Sequence, residues 1–210
     1  MTPAAATRPQ PPSIVWGVAH RALPGESESG DLHTVVPHAN GVLIAVIDGL
    51  GHGPEAAAAA RIAAARLQQS PDEPPAELVQ HCHRALLRTR GAVMSLASID
   101  ANAGRMTWIG VGNVDGTLYR ADRAARPRRE SLSLRGGVVG YQLPSLRPAT
   151  LPITPGDTLV LATDGVSSAF HNEWPFGRVP QAAADDIVAR HGKDTDDALV
   201  LIAHYVGRSP

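Results

Sequence analysis

Two aspartates of this 210-residue sequence each follow a run of apolar residues and precede a glycine. Asp48 ends the run in "VLIAVIDG", and Asp164 ends the run in "TLVLATDG". A carboxylate at the end of a buried strand is held by a rigid sheet. The glycine after it lets the backbone turn sharply and leaves its carbonyl free to face a ligand. The repeated pattern therefore predicts two oxygen ligands at fixed positions.

Two further carboxylates occur where a predicted loop meets a predicted strand. Asp31 lies in "GESESGDLHTVV", and Asp196 lies in "DTDDALVLIA". If these four carboxylates converge, they repel one another unless a counterion is present, and an oxygen-rich cluster prefers Mg²⁺ or Mn²⁺ to Zn²⁺. Two such ions roughly 4 Å apart activate a bridging water and neutralise charge on a phosphoryl group. Each Asp-Gly pair taken alone, however, is a common turn signal.

The segments around these aspartates indicate an α+β fold. The predicted strands include "SIVWGVAHRAL", "GVLIAVIDG", "GDTLVLATDG" and "DDALVLIAHYV". Three helices are predicted: the first begins at Pro54, the second covers 74–91 and the third covers "QAAADDIVARHG". Between them, the turn-rich segments "DANAG" and "NVDG" predict a series of antiparallel neighbouring strands. Strands grouped with strands, and helices with helices, favour α+β over a regular βαβ repeat.

Size and charge exclude several classes of function. We predict a single domain over 13–210, preceded by a disordered tail over 1–12. Nineteen basic and twenty acidic side chains give a formal net charge of -1, which predicts no nucleic-acid or anionic-membrane partner. No run approaches the roughly 18 apolar residues of a membrane span. The single cysteine, Cys82, cannot form an internal disulfide and favours the cytoplasm, where we expect a monomer.

Six segments occur in order across nearly the whole chain. They are "SGD" at 29–31, "DGLGHG" at 48–53, "GVGNVDGTL" at 110–118, "GGVVGYQLP" at 136–144, "TPGDTLVLATDGV" at 154–166 and "DDALVL" at 196–201. With these segments the chain resembles the SpoIIE-type branch of the metal-dependent type-2C serine/threonine phosphatases, and within it the short stressosome phosphatases of the RsbX type. The resemblance implies a four-layer α/β/β/α sandwich of two antiparallel sheets flanked by helices, with a binuclear Mn or Mg site at one end.

The resemblance also implies roles for individual residues. Asp48 corresponds to the aspartate that bridges both metals, and the carbonyl of Gly49 corresponds to a ligand of one of them. Asp164 and Asp196 correspond to the carboxylates that hold the other metal. Asp31 corresponds to the acidic residue that binds the metal or orients its water.

Two of these assignments stay open. Asp196 is the expected last ligand, but Asp197 or Asp194 would take its place after a slip of the loop. We hypothesise that His52 protonates the leaving serine oxygen, because histidine titrates near neutral pH. A turn histidine bonded to the loop backbone is the alternative. The phosphate-binding arginine of eukaryotic members has no counterpart near Asp31.

We therefore predict a phosphoserine/phosphothreonine protein phosphatase that uses two Mn²⁺ or Mg²⁺ ions and forms no covalent intermediate. By analogy, its partners are phosphorylated stressosome or STAS-domain regulators. The alternative is a catalytically silent phosphatase-fold module that binds a phosphoprotein. A dinucleotide-binding module is disfavoured, because the glycines run G-x-G-x-G instead of G-x-G-x-x-G. The six arginines between 120 and 135 either steer an acidic partner or form a solvated loop.

Overall fold

A computed structural model describes residues 13–173 and 177–207, so the predicted tail over 1–12 lies outside the described residues. The strands are β1 (Ile14–Arg21), β2 (Asp31–His38), β3 (Gly41–Gly49), β4 (Ala92–Asp100), β5 (Arg105–Val111), β6 (Asp115–Tyr119), β7 (Arg129–Ser131), β8 (Ala149–Pro152), β9 (Thr158–Ala162) and β10 (Ala198–Tyr205). The helices are α1 (Gly53–Gln69), α2 (Pro75–Leu86) and α3 (Pro180–His191), with a 3₁₀ helix at Ser168–Glu173. Within the described ranges, no helix combines the length and apolar character needed to cross a membrane.

The strands form two five-stranded sheets. The first has the order β1-β10-β9-β6-β7 and the second has the order β2-β3-β4-β5-β8. All of their pairings are antiparallel. The predicted α+β grouping of the elements is therefore confirmed.

Strand alternation divides the apolar residues among three core regions. In β3, Ile44 and Val46 belong to the core between the two sheets, whereas Leu43 and Ala45 pack with α1 and α2. On the other side, α3 covers the outer face of the first sheet, where Ile187 packs with β9 and β10. The result is the predicted four-layer α/β/β/α sandwich, with the sheets in the middle.

The expected pairing across "NVDG" is wrong. β5 lies in the second sheet and β6 lies in the first, so the chain crosses between the sheets there. At Gly112 the φ angle is 95°, and an added Cβ would lie 2.2 Å from Cγ1 of Val93. Next to it, the hydroxyl of Ser95 donates to the carbonyl of Val114 at 2.6 Å, which fixes the crossing segment. Turn residues indicate a change of direction but do not specify the sheet that the next strand joins.

The second predicted helix is shorter than the sequence indicates. It was expected to continue toward Gly91, but α2 ends at Leu86. Both the backbone nitrogen and the hydroxyl of Thr89 donate to the Leu86 carbonyl, at 2.9 and 2.8 Å. A threonine side chain that bonds a nearby carbonyl competes with continued helix, and this bond closes the last turn.

Candidate metal centre

Asp31 and Asp48 lie side by side at one end of the second sheet. Asp31 begins β2 and pairs directly with Asp48 in β3. Directly opposed residues of an antiparallel pair project to the same face, with Cβ atoms about 5 Å apart. Alternation along β3 puts Asp48 on the same face as Ile44 and Val46, which is the face turned toward the first sheet. The two carboxylates therefore face the end of the layer between the sheets.

Thr163 connects the two sheets at this end. It follows β9, and its hydroxyl donates to Oδ2 of Asp31 at 2.7 Å. The backbone nitrogen of Leu199, in β10, donates to the same hydroxyl oxygen at 2.9 Å. Thr163 is not among the residues predicted from the sequence, although its position directly before Asp164 was a usable signal. Its side chain fixes the orientation of the Asp31 carboxylate.

Burial and mutual repulsion perturb the paired carboxylates. Burial, with repulsion from Asp31 and from Asp164, raises the pKa of Asp48 to about 8. Burial raises the pKa of Asp31 to about 7, with further repulsion from Asp197 and Asp196 and an opposing hydrogen bond. These shifts have the sign expected for acidic side chains crowded together in a poorly solvated space.

Asp164 follows β9, and neighbouring side chains and a loop hold it in place. The amide nitrogen of Asn113 donates to Oδ2 of Asp164 at 2.6 Å, and Nζ of Lys193 donates to the Asp164 backbone carbonyl at 2.6 Å. Burial, followed by repulsion from Asp196, raises the pKa of Asp164, while Lys193 and Asn113 act in the opposite direction. Asn113 was also missed, although it lies inside the quoted segment "GVGNVDGTL".

The three aspartates before β10 have different surroundings. Asp197 is buried, and its carboxylate accepts from the backbone nitrogens of Leu23 and Gly30 at 2.8 and 2.7 Å. Asp194 is exposed and forms an ion pair on the surface. Among the described hydrogen bonds, the Asp196 carboxylate accepts one, from the backbone nitrogen of Asp197 at 2.8 Å. Asp196 is thus the one of the three that is neither bonded by two backbone donors nor held in a surface ion pair.

The glycines after the two predicted ligands lie directly against other backbone segments. Neither Gly49 nor Gly165 has a positive φ angle. The predicted turn is present at Gly165, where the backbone nitrogen of Val166 donates to the carbonyl of Thr163 at 3.0 Å, whereas Gly49 is the last residue of β3. A Cβ added to Gly49 would lie 2.1 Å from the carbonyl oxygen of Ala56 in α1. A Cβ added to Gly165 would lie 1.8 Å from the carbonyl oxygen of Asp197. Each glycine therefore lets its aspartate-bearing segment contact another backbone directly.

His52 immediately precedes α1 and is half exposed. Its Nδ1 lies 2.5 Å from Oε1 of Glu26, so its described partner is a carboxylate and not the loop backbone. This contact orients the ring and leaves Nε2 as the nitrogen that can face a substrate. A role for His52 as a general acid stays a prediction.

The hairpin part of the arginine-rich segment lies away from the acidic cluster, whereas the backbone of Arg135 bonds to Gly112, next to Asn113. The first member of the segment, Arg120, is partly buried and donates to Glu130 and to Asp157, at 2.8 and 2.9 Å. β6 begins at Asp115 and ends at Tyr119, and the hairpin to β7 follows Tyr119. The remaining arginines of the hairpin are thus placed at the far end of the first sheet from the carboxylates.

The donor set is suited to Mg²⁺ or Mn²⁺. In the part of the chain that the structure describes, no three His, Cys, Asp or Glu side chains form a ready cage for one ion. Mg²⁺ keeps several waters and is usually held by one or two carboxylates with phosphate oxygens, so it does not require such a cage. A structural Zn²⁺ site needs four ligands, mainly His and Cys. The single cysteine, Cys82, instead donates to the carbonyl of Ala63 within the helical layer.

Comparisons with known proteins identify the family. The family model for Stage II sporulation protein E (SpoIIE) matches residues 38–206. The chain belongs to the SpoIIE family. The expected placement in the SpoIIE-type branch is confirmed. No curated protein matches this SpoIIE-family chain.

Solved structures share the fold of this SpoIIE-family chain. One, described as "The bacterial stressosome: a modular system that has been adapted to control secondary messenger signaling", is 30% identical with a TM-score of 0.83, over 91% of this chain and 99% of that one. RsbX in complex with magnesium is 19% identical with a TM-score of 0.81, over 91% and 94% of the two chains. The catalytic domain of the serine/threonine protein phosphatase PstP, in complex with two manganese ions, is 16% identical with a TM-score of 0.71, over 92% and 98%. The chain therefore has the serine/threonine phosphatase fold of the type-2C class.

Proposed function

We propose that this SpoIIE-family chain is a metal-dependent phosphoserine/phosphothreonine protein phosphatase. The observation that carries the proposal is the direct pairing of Asp31 with Asp48, close enough to Asp164 and Asp196 for all four to repel one another. Divalent cations relieve such repulsion, and carboxylates are the ligands that Mg²⁺ and Mn²⁺ prefer. The magnesium of RsbX and the manganese of PstP, bound on the same fold, support this choice of ion.

We assign the ligands as the sequence predicted them. Asp48, the carbonyl of Gly49, Asp164 and Asp196 would hold two Mn²⁺ or Mg²⁺ ions, with Asp31 binding metal or orienting water. When bound, the ions supply an activated water nucleophile and neutralise charge on the phosphoryl group. The assignment of Asp196 over its neighbours is supported by the two backbone hydrogen bonds that already occupy the Asp197 carboxylate.

The chain's own residues keep these carboxylates in fixed positions. Thr163 orients the Asp31 carboxylate across the two sheets, and Asn113 orients that of Asp164. Catalytic groups that are held in place need little reorganisation during the reaction, which lowers the barrier. Glu26 holds the His52 ring through Nδ1, so that Nε2 can pass a proton to the leaving serine or threonine oxygen.

The proposed substrate is a phosphorylated regulator of the stressosome or STAS-domain type. The chain described with the bacterial stressosome supports this class, at 30% identity over nearly all of both chains. RsbX has the same fold at lower identity. We further propose that the protein acts as a monomer in the cytoplasm. The substrate assignment rests on analogy and not on residues that recognise a particular regulator.

Hydrolysis of an aryl phosphate tests the proposed chemistry. We expect activity with added Mn²⁺, none with a chelator, and none in Asp164→Asn. Asp194→Asn is the matched control, because Asp194 lies on the surface near the same loop and should retain activity. If no divalent ion gives activity while circular dichroism shows an intact fold, the catalytically silent phosphoprotein-binding module is the better account.

Two substrates with different leaving groups test whether His52 acts as a general acid. An aryl oxide departs without a proton, whereas a serine alkoxide needs one, so His52→Ala should slow hydrolysis of a phosphoserine peptide far more than that of an aryl phosphate. Glu26→Gln should show the same pattern more weakly, because Glu26 acts only through the ring. An unchanged ratio of the two rates in His52→Ala refutes the general-acid role.

A further inference from the structure

Lys193 lies in the loop between α3 and β10, directly against the Asp164–Gly165 turn. Its backbone nitrogen donates to the carbonyl of Gly165 at 2.7 Å, and its Nζ donates to the carbonyl of Asp164 at 2.6 Å. On the other side, Nη2 of Arg21 donates to the Lys193 carbonyl at 2.9 Å. The backbone of Lys193 is therefore fixed by two contacts that do not involve its ammonium group.

The Lys193 ammonium group forms no ion pair with a carboxylate among the described residues, although its charge lowers the pKa of the nearby Asp164. Over 13–173 and 177–207, its ammonium group makes one hydrogen bond, to a neutral backbone carbonyl. A lysine ammonium has three N–H donors, so two of them remain available. Two nearby arginines differ in this respect, because Arg61 in α1 is paired with Glu28 and Arg90, before β4, is paired with Glu55. The Lys193 side chain is also exposed and can meet a ligand that arrives from solvent.

We propose that Lys193 binds the phosphoryl group of the substrate beside Asp164. This inference rests on the proposed phosphatase function and adds a residue to it. Carboxylates repel a phosphate anion, so a cationic side chain at the edge of the cluster favours its approach. Lysine binds phosphate as a point charge and needs no planar, bidentate geometry. With two free donors, the ammonium group contacts phosphoryl oxygens while it keeps its bond to the Asp164 carbonyl.

A structural role for Lys193 predicts a different outcome. If its bond to the Asp164 carbonyl only holds the turn in place, loss of the side chain should misplace Asp164 and weaken metal binding. If the ammonium group binds phosphate, its loss should weaken phosphate binding alone. Metal binding should then stay unchanged or become tighter, because a positive charge near Asp164 has been removed. The direction of the change in Mn²⁺ affinity therefore separates the two roles.

Calorimetric titration provides the test. Inorganic phosphate is titrated into the Mn²⁺-loaded protein, and Mn²⁺ is titrated into the phosphate-free protein, for wild type, Lys193→Met, Lys193→Arg and Arg21→Met. We expect Lys193→Met to weaken phosphate binding about tenfold, as for loss of one hydrogen bond to a charged group, without weakening Mn²⁺ binding. Lys193→Arg should recover most of the phosphate affinity. Arg21→Met, which removes another contact to the same loop, should leave it unchanged.

Several results would overturn the inference. An equal loss of phosphate affinity in Lys193→Met and Arg21→Met, with weaker Mn²⁺ binding in both, would assign Lys193 a structural role. If Lys193→Met binds phosphate with unchanged affinity, Lys193 is not part of the phosphate site. The inference also fails if the Mn²⁺-loaded wild type binds no phosphate. Hydrolysis by the wild type is measured in parallel. A wild type that is active, with a Lys193→Met that binds phosphate normally, refutes this inference and leaves the proposed function intact.

Discussion

Asp48–Gly49 and Asp164–Gly165 end two similar apolar runs, but the structure holds their carboxylates in different ways. Asp48 is part of β3 and is positioned by the backbone ladder that pairs it with Asp31. Asp164 lies beyond the end of β9 and is positioned by contacts from Asn113 and Lys193. The first carboxylate depends on the sheet, and the second depends on a few individual hydrogen bonds. Mutations should therefore affect the two in different ways.

Removal of either carboxylate should have the largest effect on activity. Asp48→Asn and Asp164→Asn should each reduce Mn²⁺-dependent hydrolysis by about a thousandfold or more, because metal ions supply several kcal/mol of transition-state stabilisation. Steady-state hydrolysis of an aryl phosphate measures the loss. A variant at either position that retains more than a tenth of wild-type activity would remove that aspartate from the proposed site.

The two glycines should be equally intolerant of a side chain. Gly49→Ala and Gly165→Ala each place a Cβ within about 2 Å of a backbone oxygen, and we expect each to destabilise the fold by about 3 kcal/mol or more. Urea unfolding measures the change in the free energy of unfolding. Gly136→Ala is the control, because a Cβ there has no neighbour within 4 Å. Near-normal stability of Gly165→Ala would mean that the contact with the Asp197 carbonyl is not as close as described.

The metal-free protein should lose stability as the pH rises. Asp31 and Asp48 have pKa values raised to about 7 and 8, so the folded state holds their protons more tightly than the unfolded state, where Asp titrates near 3.9. Their contribution is fully present below about pH 4 and is lost as the pH rises through 7 and 8. Urea unfolding in chelator between pH 5 and 9 should show this decline, and added Mn²⁺ should reduce it.

The same experiment distinguishes the two aspartates. At pH 9 without metal, Asp48→Asn should be more stable than wild type by about 2 kcal/mol, because it removes a buried repelling charge. Asp164→Asn should gain less, because Lys193 and Asn113 partly offset the charge of Asp164. An equal gain in the free energy of unfolding in both variants would contradict the different surroundings of the two carboxylates. If the stability of the wild type does not vary over this pH range, Asp31 and Asp48 are not crowded together in a poorly solvated space as described.

Asn113→Ala should have the smallest of these effects and should act on Asp164. Loss of a residue that orients a metal ligand typically costs ten- to a hundredfold, and we expect roughly tenfold in activity and in Mn²⁺ affinity. Asn102→Ala is the matched control, because Asn102 lies in the distant β4–β5 turn and bonds Asn40. Full activity in Asn113→Ala would mean that Asp164 keeps its orientation without this bond.

Much of the fold follows from local patterns in the sequence. The apolar runs before Asp48 and Asp164 are long enough to predict buried strands, and the alanine-rich segment after Pro54 predicts α1. The crossing at Gly112 was not predictable in the same way, because turn residues do not specify which sheet the next strand joins. The short strands β7 and β8 have too few residues to show an alternating pattern.

The site was predictable in its acidic residues and less so in what holds them. Asp196 and Asp197 are adjacent and chemically identical, and only tertiary contacts with the loop over 23–30 distinguish them. Thr163 and Lys193 contact the aspartates through bonds that depend on the tertiary fold or on a loop conformation. Such partners have no periodic signal. Thr163 contacts Asp31 only when the two sheets pack, and Lys193 contacts Asp164 only when the loop before β10 is folded.

Direct titration of the metal-free protein with Mn²⁺ tests the central claim that the paired aspartates form a divalent-cation site. The account predicts that calorimetry finds two ions per wild-type chain. Asp48→Asn should lose both ions, because Asp48 would contact both in the proposed assignment. Asp194→Asn should bind as wild type does. A wild type that binds no Mn²⁺, or an Asp48→Asn variant that still binds two ions, would contradict it.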